Sequence, residues 1–179
     1  MKNGIKIIVV GGLYRSGSVW QYNVIRTILE LAGYSCGFSG INPDWSKIKT
    51  DYHILKLHKF YPQYYEIADY VFSSIRNIEH ARRSRERFSG RKINRRRLII
   101  TVNWCYQWMR RADYIMFFDD IFDNKAKIVN AIKSILGFSE VYTAEVIKKV
   151  NAIRPPKTGQ DPVTMLFANH ITSKANYEN

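Results

Sequence analysis

The chain has 179 residues, 46% of them apolar and 24% charged, a mix too apolar for intrinsic disorder and ordinary for a globular fold. A chain of this length can bury roughly 70% of its unfolded surface without a disulfide or metal, and two cysteines, Cys36 and Cys105, exclude a disulfide framework. Lys and Arg number 28 against 15 Asp and Glu, a net charge of +13 that calls for an anionic partner: a nucleotide, nucleic acid, a sulfated or phosphorylated glycan, or an acidic membrane surface.

The chain opens with MKNGIKIIVVGG, whose apolar stretch is too short for a signal peptide. No apolar run reaches the roughly 18 residues of a membrane span, so a soluble, cytoplasmic protein is expected. Ile5 to Val10 is a β-branched run that predicts a strand buried on both faces, ended by Gly11 and Gly12. Val19 to Leu31 has apolar residues at helical spacing and a stop at Gly33. His53 to Leu57 and Tyr70 to Ile75 read as strands. Asn77 then caps a helix with Ile78, Ala81 and Phe88 on one face, and Thr101 to Ala112 reads as a further helix. Tyr114 to Phe118 is a fourth strand. Asn124 to Leu136 is an amphipathic helix stopped by Gly137, and the polar tail beyond Pro155-Pro156 has no regular pattern. This alternation predicts a single α/β domain over residues 1–179, with a parallel β-sheet flanked by helices.

Between the first strand and the first helix, Gly12-Leu13-Tyr14-Arg15-Ser16-Gly17-Ser18 has the spacing G-x-x-x-x-G. In a strand-turn-helix context such a loop offers backbone amides and a helix dipole to a phosphate, although an ordinary turn has the same spacing. A nucleotide-hydrolysing loop continues with Lys and a hydroxyl residue, for the γ-phosphate and Mg²⁺. Here Ser18 and Val19 stand in those places, and the nearby cation is Arg15.

Arg15-Ser16-Gly17-Ser18-Val19-Trp20, with Tyr14 ahead of it, resembles the 5′-phosphosulfate loop of the sulfotransferases that use 3′-phosphoadenosine 5′-phosphosulfate (PAPS). The resemblance implies a P-loop NTPase-like sulfotransferase fold, with PAPS as sulfuryl donor, adenosine 3′,5′-bisphosphate (PAP) as product, and no metal. It implies that Arg15 and the amides of Ser16, Gly17, Ser18 and Val19 hold the 5′-phosphate and sulfuryl group, that Ser18 adds its hydroxyl, and that Trp20 lies against the adenine. Lys56-Leu57-His58 matches the family's Lys-x-His, which makes His58 the catalytic base and lets Lys56 and Arg15 offset charge on the leaving oxygen. Arg76-Asn77, with Ser84 eight residues beyond the arginine, matches the pair that holds the 3′-phosphate. Tyr114 to Gly137, with Asp119-Asp120 as an acidic pair that caps or anchors, matches in pattern only. The resemblance spans about residues 5–138. The family's C-terminal Gly-x-x-Gly-x-x-Lys segment has no counterpart here, and His170 is the one tail residue singled out for a site role.

Nine basic residues lie between Arg82 and Arg97, with Glu86 as the only acid. Such a cluster suits PAPS or an anionic acceptor such as a polysaccharide. Alternatively it suits nucleic acid, with Trp104, Tyr106 and Trp108 for stacking. The expected function is sulfuryl transfer from PAPS to a hydroxyl or amine acceptor. The alternatives are a non-catalytic protein binding nucleic acid or an anionic glycan on a degenerate sulfotransferase fold, and a P-loop nucleotide kinase.

Overall fold

The computed structural model describes residues 4–39 and 41–168. The elements run β1 (Lys6–Gly12), α1 (Ser18–Leu31), β2 (Cys36–Ser39), a 3-10 turn at Trp45–Lys47, β3 (Tyr52–Lys56), α2 (Pro62–Ile67) and β4 (Tyr70–Ile75). They continue with α3 (Ile78–Ser89), α4 (Arg95–Met109), β5 (Tyr114–Phe117), α5 (Asp120–Asp123), α6 (Lys125–Leu136) and α7 (Thr143–Ala152). The five strands form one all-parallel sheet in the order β2-β3-β1-β4-β5. Among the described residues no helix is long and apolar enough to cross a membrane.

Helices cover both faces of the sheet, and β1 shows why its sequence is apolar throughout. Ile8 and Val10 point to a core completed by Tyr22, Ile25 and Ile28 of α1 and Ile128 and Ile132 of α6. Ile7 and Val9 point to the opposite core with Leu55, Tyr64 and Trp108. A strand buried on two faces has no polar side to show, hence the unbroken run. The chain leaves β1 for β2 and β3 on one side and later places β4 and β5 on the other. That reversal opens a crevice at the C-terminal ends of β1, β3 and β4, where ligands of open α/β sheets bind. Val10 pairs with Lys56 and Gly12 with Ser74, so the glycine loop, the Lys-x-His segment and Arg76 share this edge.

The four expected strands are present, as are the Asn77 cap, whose side chain accepts from the Glu79 and His80 amides, and the Gly137 stop. Four elements escape the pattern, among them α5, a single turn of four residues. β2 is a four-residue edge strand carrying Gly37, too short for alternation to register. α2 and α7 are short, although Val146 and Val150 of α7 keep helical spacing. Helix α4 begins at Arg95, six residues before the expected Thr101. Three arginines hide its start, and the signal is Asn94, whose side chain accepts from the Arg97 amide. Residues 155–159 are irregular as expected, but Gln160 and Phe167 pair across a tight turn. Asp161 builds that turn by accepting from the Val163 amide and the Thr164 hydroxyl. His170 lies outside the described residues.

Candidate active site

The loop between β1 and α1 is held from beneath. Gly12 has φ +137°, and a Cβ there would sit 2.5 Å from the Ser74 carbonyl oxygen, so only glycine lets β1 leave the sheet this close to β4. The Leu13 amide donates to that same carbonyl at 3.2 Å. Ser16 is fully buried: its hydroxyl donates to the Leu13 carbonyl at 2.6 Å and shares a hydrogen bond of 2.6 Å with the Ser74 hydroxyl. The Ser16 side chain therefore pins the loop and leaves only its backbone for a ligand.

Above that anchor the backbone turns left-handed at Arg15 (φ 60°) and Gly17 (φ 84°). A left-handed arginine carries strain of the kind that collects at functional turns, and such turns draw successive amides into a concavity that accepts anions. α1 then starts at Ser18 with no side-chain cap and no acid in its first turn. Its first amides and the positive end of its dipole are left to the cleft.

Across the loop, β3 delivers Lys56 and His58. His58 Nδ1 lies 3.1 Å from the Gly12 carbonyl, which can only accept, so Nδ1 carries the proton and Nε2 the lone pair. That lone pair faces Lys56 Nζ at 3.3 Å. The Tyr14 ring packs on the imidazole with centroids 4.5 Å apart. Burial, and then the Lys56 cation, hold the His58 pKa well below its usual 6.5, against the opposing pull of the Gly12 carbonyl. His58 is thus neutral at pH 7. Burial and the Arg15 cation bring Lys56 down to about 8, so at pH 7 it remains mostly charged. The pair presents a cation and a neutral base within one hydrogen bond of each other.

Arg76 and Ser84 come to the same neighbourhood but stand behind the loop. Arg76 is 8% exposed, lies 3.9 Å from the centre of the Phe118 ring and donates from Nη1 to the Arg15 carbonyl at 3.4 Å. Ser84 is 5% exposed and accepts from Arg15 Nε at 3.2 Å. Neither belongs to the wall of the cleft. In this arrangement both brace Arg15, which also rests over Phe88 at 4.7 Å.

The cleft has a volume of about 950 Å³, and its wall includes Tyr14, Arg15, Ser18, Trp20, Lys56 and His58. That is at the upper end of the roughly 300–1,000 Å³ usual for nucleotide- and drug-sized ligands. Trp20 is half-buried, with one side on the core and another on the cleft. Apart from Arg85, which belongs to the basic run, the far wall was not legible in the sequence. It comes from Arg85, Arg154 and the turn carrying Met165, Leu166 and Phe167. The Tyr22 hydroxyl donates to the Val163 carbonyl and Asn23 Nδ2 to the Thr164 carbonyl, each at 2.9 Å, and Phe167 meets the Phe88 ring edge-on at 5.5 Å. Three apolar residues in a polar tail were the only signal.

Trp108, expected to be available for base stacking, is fully buried against Phe60 and Tyr65. Asp120 anchors locally, accepting from Asn124 Nδ2 at 2.9 Å. Among the described residues no three His, Cys, Asp or Glu side chains gather as a metal site would require. Fold and site together define an α/β protein with a basic cleft at the C-terminal edge of its sheet. The chain matches no protein-family model and no curated protein sequence.

Proposed function

We propose that the protein is a sulfotransferase of P-loop-like fold that moves a sulfuryl group from PAPS to a hydroxyl or amine acceptor. One observation carries this function: a neutral imidazole with its lone pair on Lys56 shares a cleft with Arg15 and the uncapped start of α1. The donor supplies a sulfuryl group on a phosphate leaving group. The residues present fit it, since the loop offers amides and a cation and the cleft has room for a nucleotide.

In this function Arg15, the amides from Ser16 to Val19 and the Ser18 hydroxyl bind the 5′-phosphosulfate, and Trp20 lies beside the adenine. The acceptor hydroxyl takes the place of Lys56 at His58 Nε2. His58 removes its proton as the new oxygen–sulfur bond forms, and the bond from sulfur to the bridging phosphate oxygen breaks. Lys56, freed from the imidazole, and Arg15 stabilise the charge left on that oxygen. His58 then returns the proton to water. Arg76 and Ser84 bind the 3′-phosphate: the Arg15 side chain leaves Ser84 for the phosphosulfate, and Arg76 exchanges the Arg15 carbonyl for the phosphate.

The absence of the P-loop lysine, with Ser18 and Val19 in its region, favours this chemistry over Mg-ATP phosphoryl transfer. Incubation with PAPS labelled in the sulfuryl group, over a panel of alcohols, amines and anionic polysaccharides, tests it. Label should reach an acceptor with the intact protein. His58→Ala should lower transfer by about 10²-fold or more while PAP still binds. Transfer undiminished in that variant would overturn the role of His58.

A further inference from the structure

A second cavity, of about 230 Å³, lies beside the cleft, between the C-terminal half of α3 and the first turns of α4. Its wall carries Arg82, Arg85, Arg91, Lys92 and Arg97. Arg82 is spent on Glu79 and Glu86, at 2.9 and 2.8 Å. Among the described residues Arg85, Arg91 and Arg97 form no ion pair. The first turn of α4 holds Arg95, Arg96 and Arg97 and no acid, the wrong sign for a helix N-terminus. Arg97 therefore disfavours its own helix, and with Arg85, Arg91 and Lys92 it crowds one cavity, which points to a ligand that neutralises them.

The cavity adjoins the cleft. Tyr14 and Arg85 line both. The Arg85 guanidinium sits 5.2 Å from the centre of the Tyr14 ring, which packs on His58. A chain molecule can therefore keep one anionic group among Arg91, Lys92 and Arg97 and pass over Arg85 to His58. The volume is below the roughly 300 Å³ at which drug-sized sites begin, which suits a single charged group with part of a sugar ring. Nucleic acid is disfavoured because none of the three rings on which bases would stack lines this cavity: Trp108 is buried, and Trp104 and the exposed Tyr106 lie outside its wall.

We propose that this cavity is an anion subsite for the acceptor, and that the acceptor is a sulfated or carboxylated polysaccharide. This rests on the sulfuryl-transfer function proposed for the cleft. The test uses heparin, and a single-stranded DNA oligonucleotide as competitor, titrated without nucleotide. The double variant Arg91→Ala, Arg97→Ala removes two wall cations. The double variant Arg95→Ala, Arg96→Ala removes two charges from the same run outside the wall. All four side chains are exposed, and thermal melting checks that both variants fold. Heparin affinity should fall about tenfold or more in the wall variant and less than about threefold in the other, with PAP affinity unchanged in both. Equal losses would overturn the subsite in favour of diffuse attraction. DNA bound more tightly than heparin, through the same two arginines, would overturn it in favour of nucleic acid. Failure of the wild-type protein to bind PAP would remove the transfer function while the heparin result stood.

Discussion

The chemistry proposed for the cleft turns on the protonation of two side chains. His58 is held neutral by burial and by Lys56, and Lys56 is brought to about 8 by burial and by Arg15. A base that stays neutral keeps working as pH falls through 6.5, whereas a lysine with a pKa of about 8 loses its charge as pH rises through 8. The profile of kcat/KM should therefore be flat from pH 7 to 6.5 and should fall above about 8. Lys56→Arg replaces that charge with one that does not titrate in this range, so the variant should be slower but lose the alkaline fall. A wild-type acid limb centred at 6.5, or an alkaline limb that survives in Lys56→Arg, would contradict these assignments. Much of this was legible at residue scale. Gly12, Arg15, Lys56 and His58 stand where a strand-loop-helix and a strand end place them. The direction of Ser16, Arg76 and Ser84 was not legible, because it depends on β4 and α3 packing behind the loop, a contact 58 to 69 residues away in the chain.

At the scale of elements, the strands that the sequence announces most clearly are those buried on both faces, where apolar content alone suffices. What it conceals are elements stabilised by a partner rather than by their own pattern. β2 is an edge strand held by its register with β3, and the turn at 160–167 is held by α1. That turn closes the cleft wall through the side chains of Tyr22 and Asn23. Tyr22→Phe removes the hydroxyl that donates to Val163, a loss of about 1 kcal/mol. The amides of Asp161 and Met165, which bond within the turn, should exchange about fivefold faster, with little change in strand amides. Unchanged exchange at both would mean that the turn does not depend on α1.

For the whole molecule, two histidines are held neutral inside a basic protein. Burial lowers the His53 pKa, as burial and Lys56 lower that of His58. Each is lower in the folded state than in the unfolded chain. Below about pH 6.5 the unfolded chain therefore binds more protons, and stability falls as pH falls. The slope approaches about 1.4 kcal/mol per pH unit for a histidine held well below 6.5, as His58 is, and His53 adds to it in the same direction. Urea midpoints between pH 7 and 5.5 should decline, and His58→Asn should remove the larger part of the decline. A decline unaffected by that variant would place the linkage elsewhere. The central claim concerns the ligand of the cleft, and it meets its most direct test in a calorimetric titration with PAP, with ADP and adenosine 5′-phosphate beside it. Arg76→Ala separates a phosphate ligand from a brace for the loop, since loss of a brace would weaken all three nucleotides alike. Binding that requires the 3′-phosphate, and that Arg76→Ala abolishes for PAP while sparing ADP, is the predicted result; no preference of the wild-type protein for PAP over ADP would contradict it.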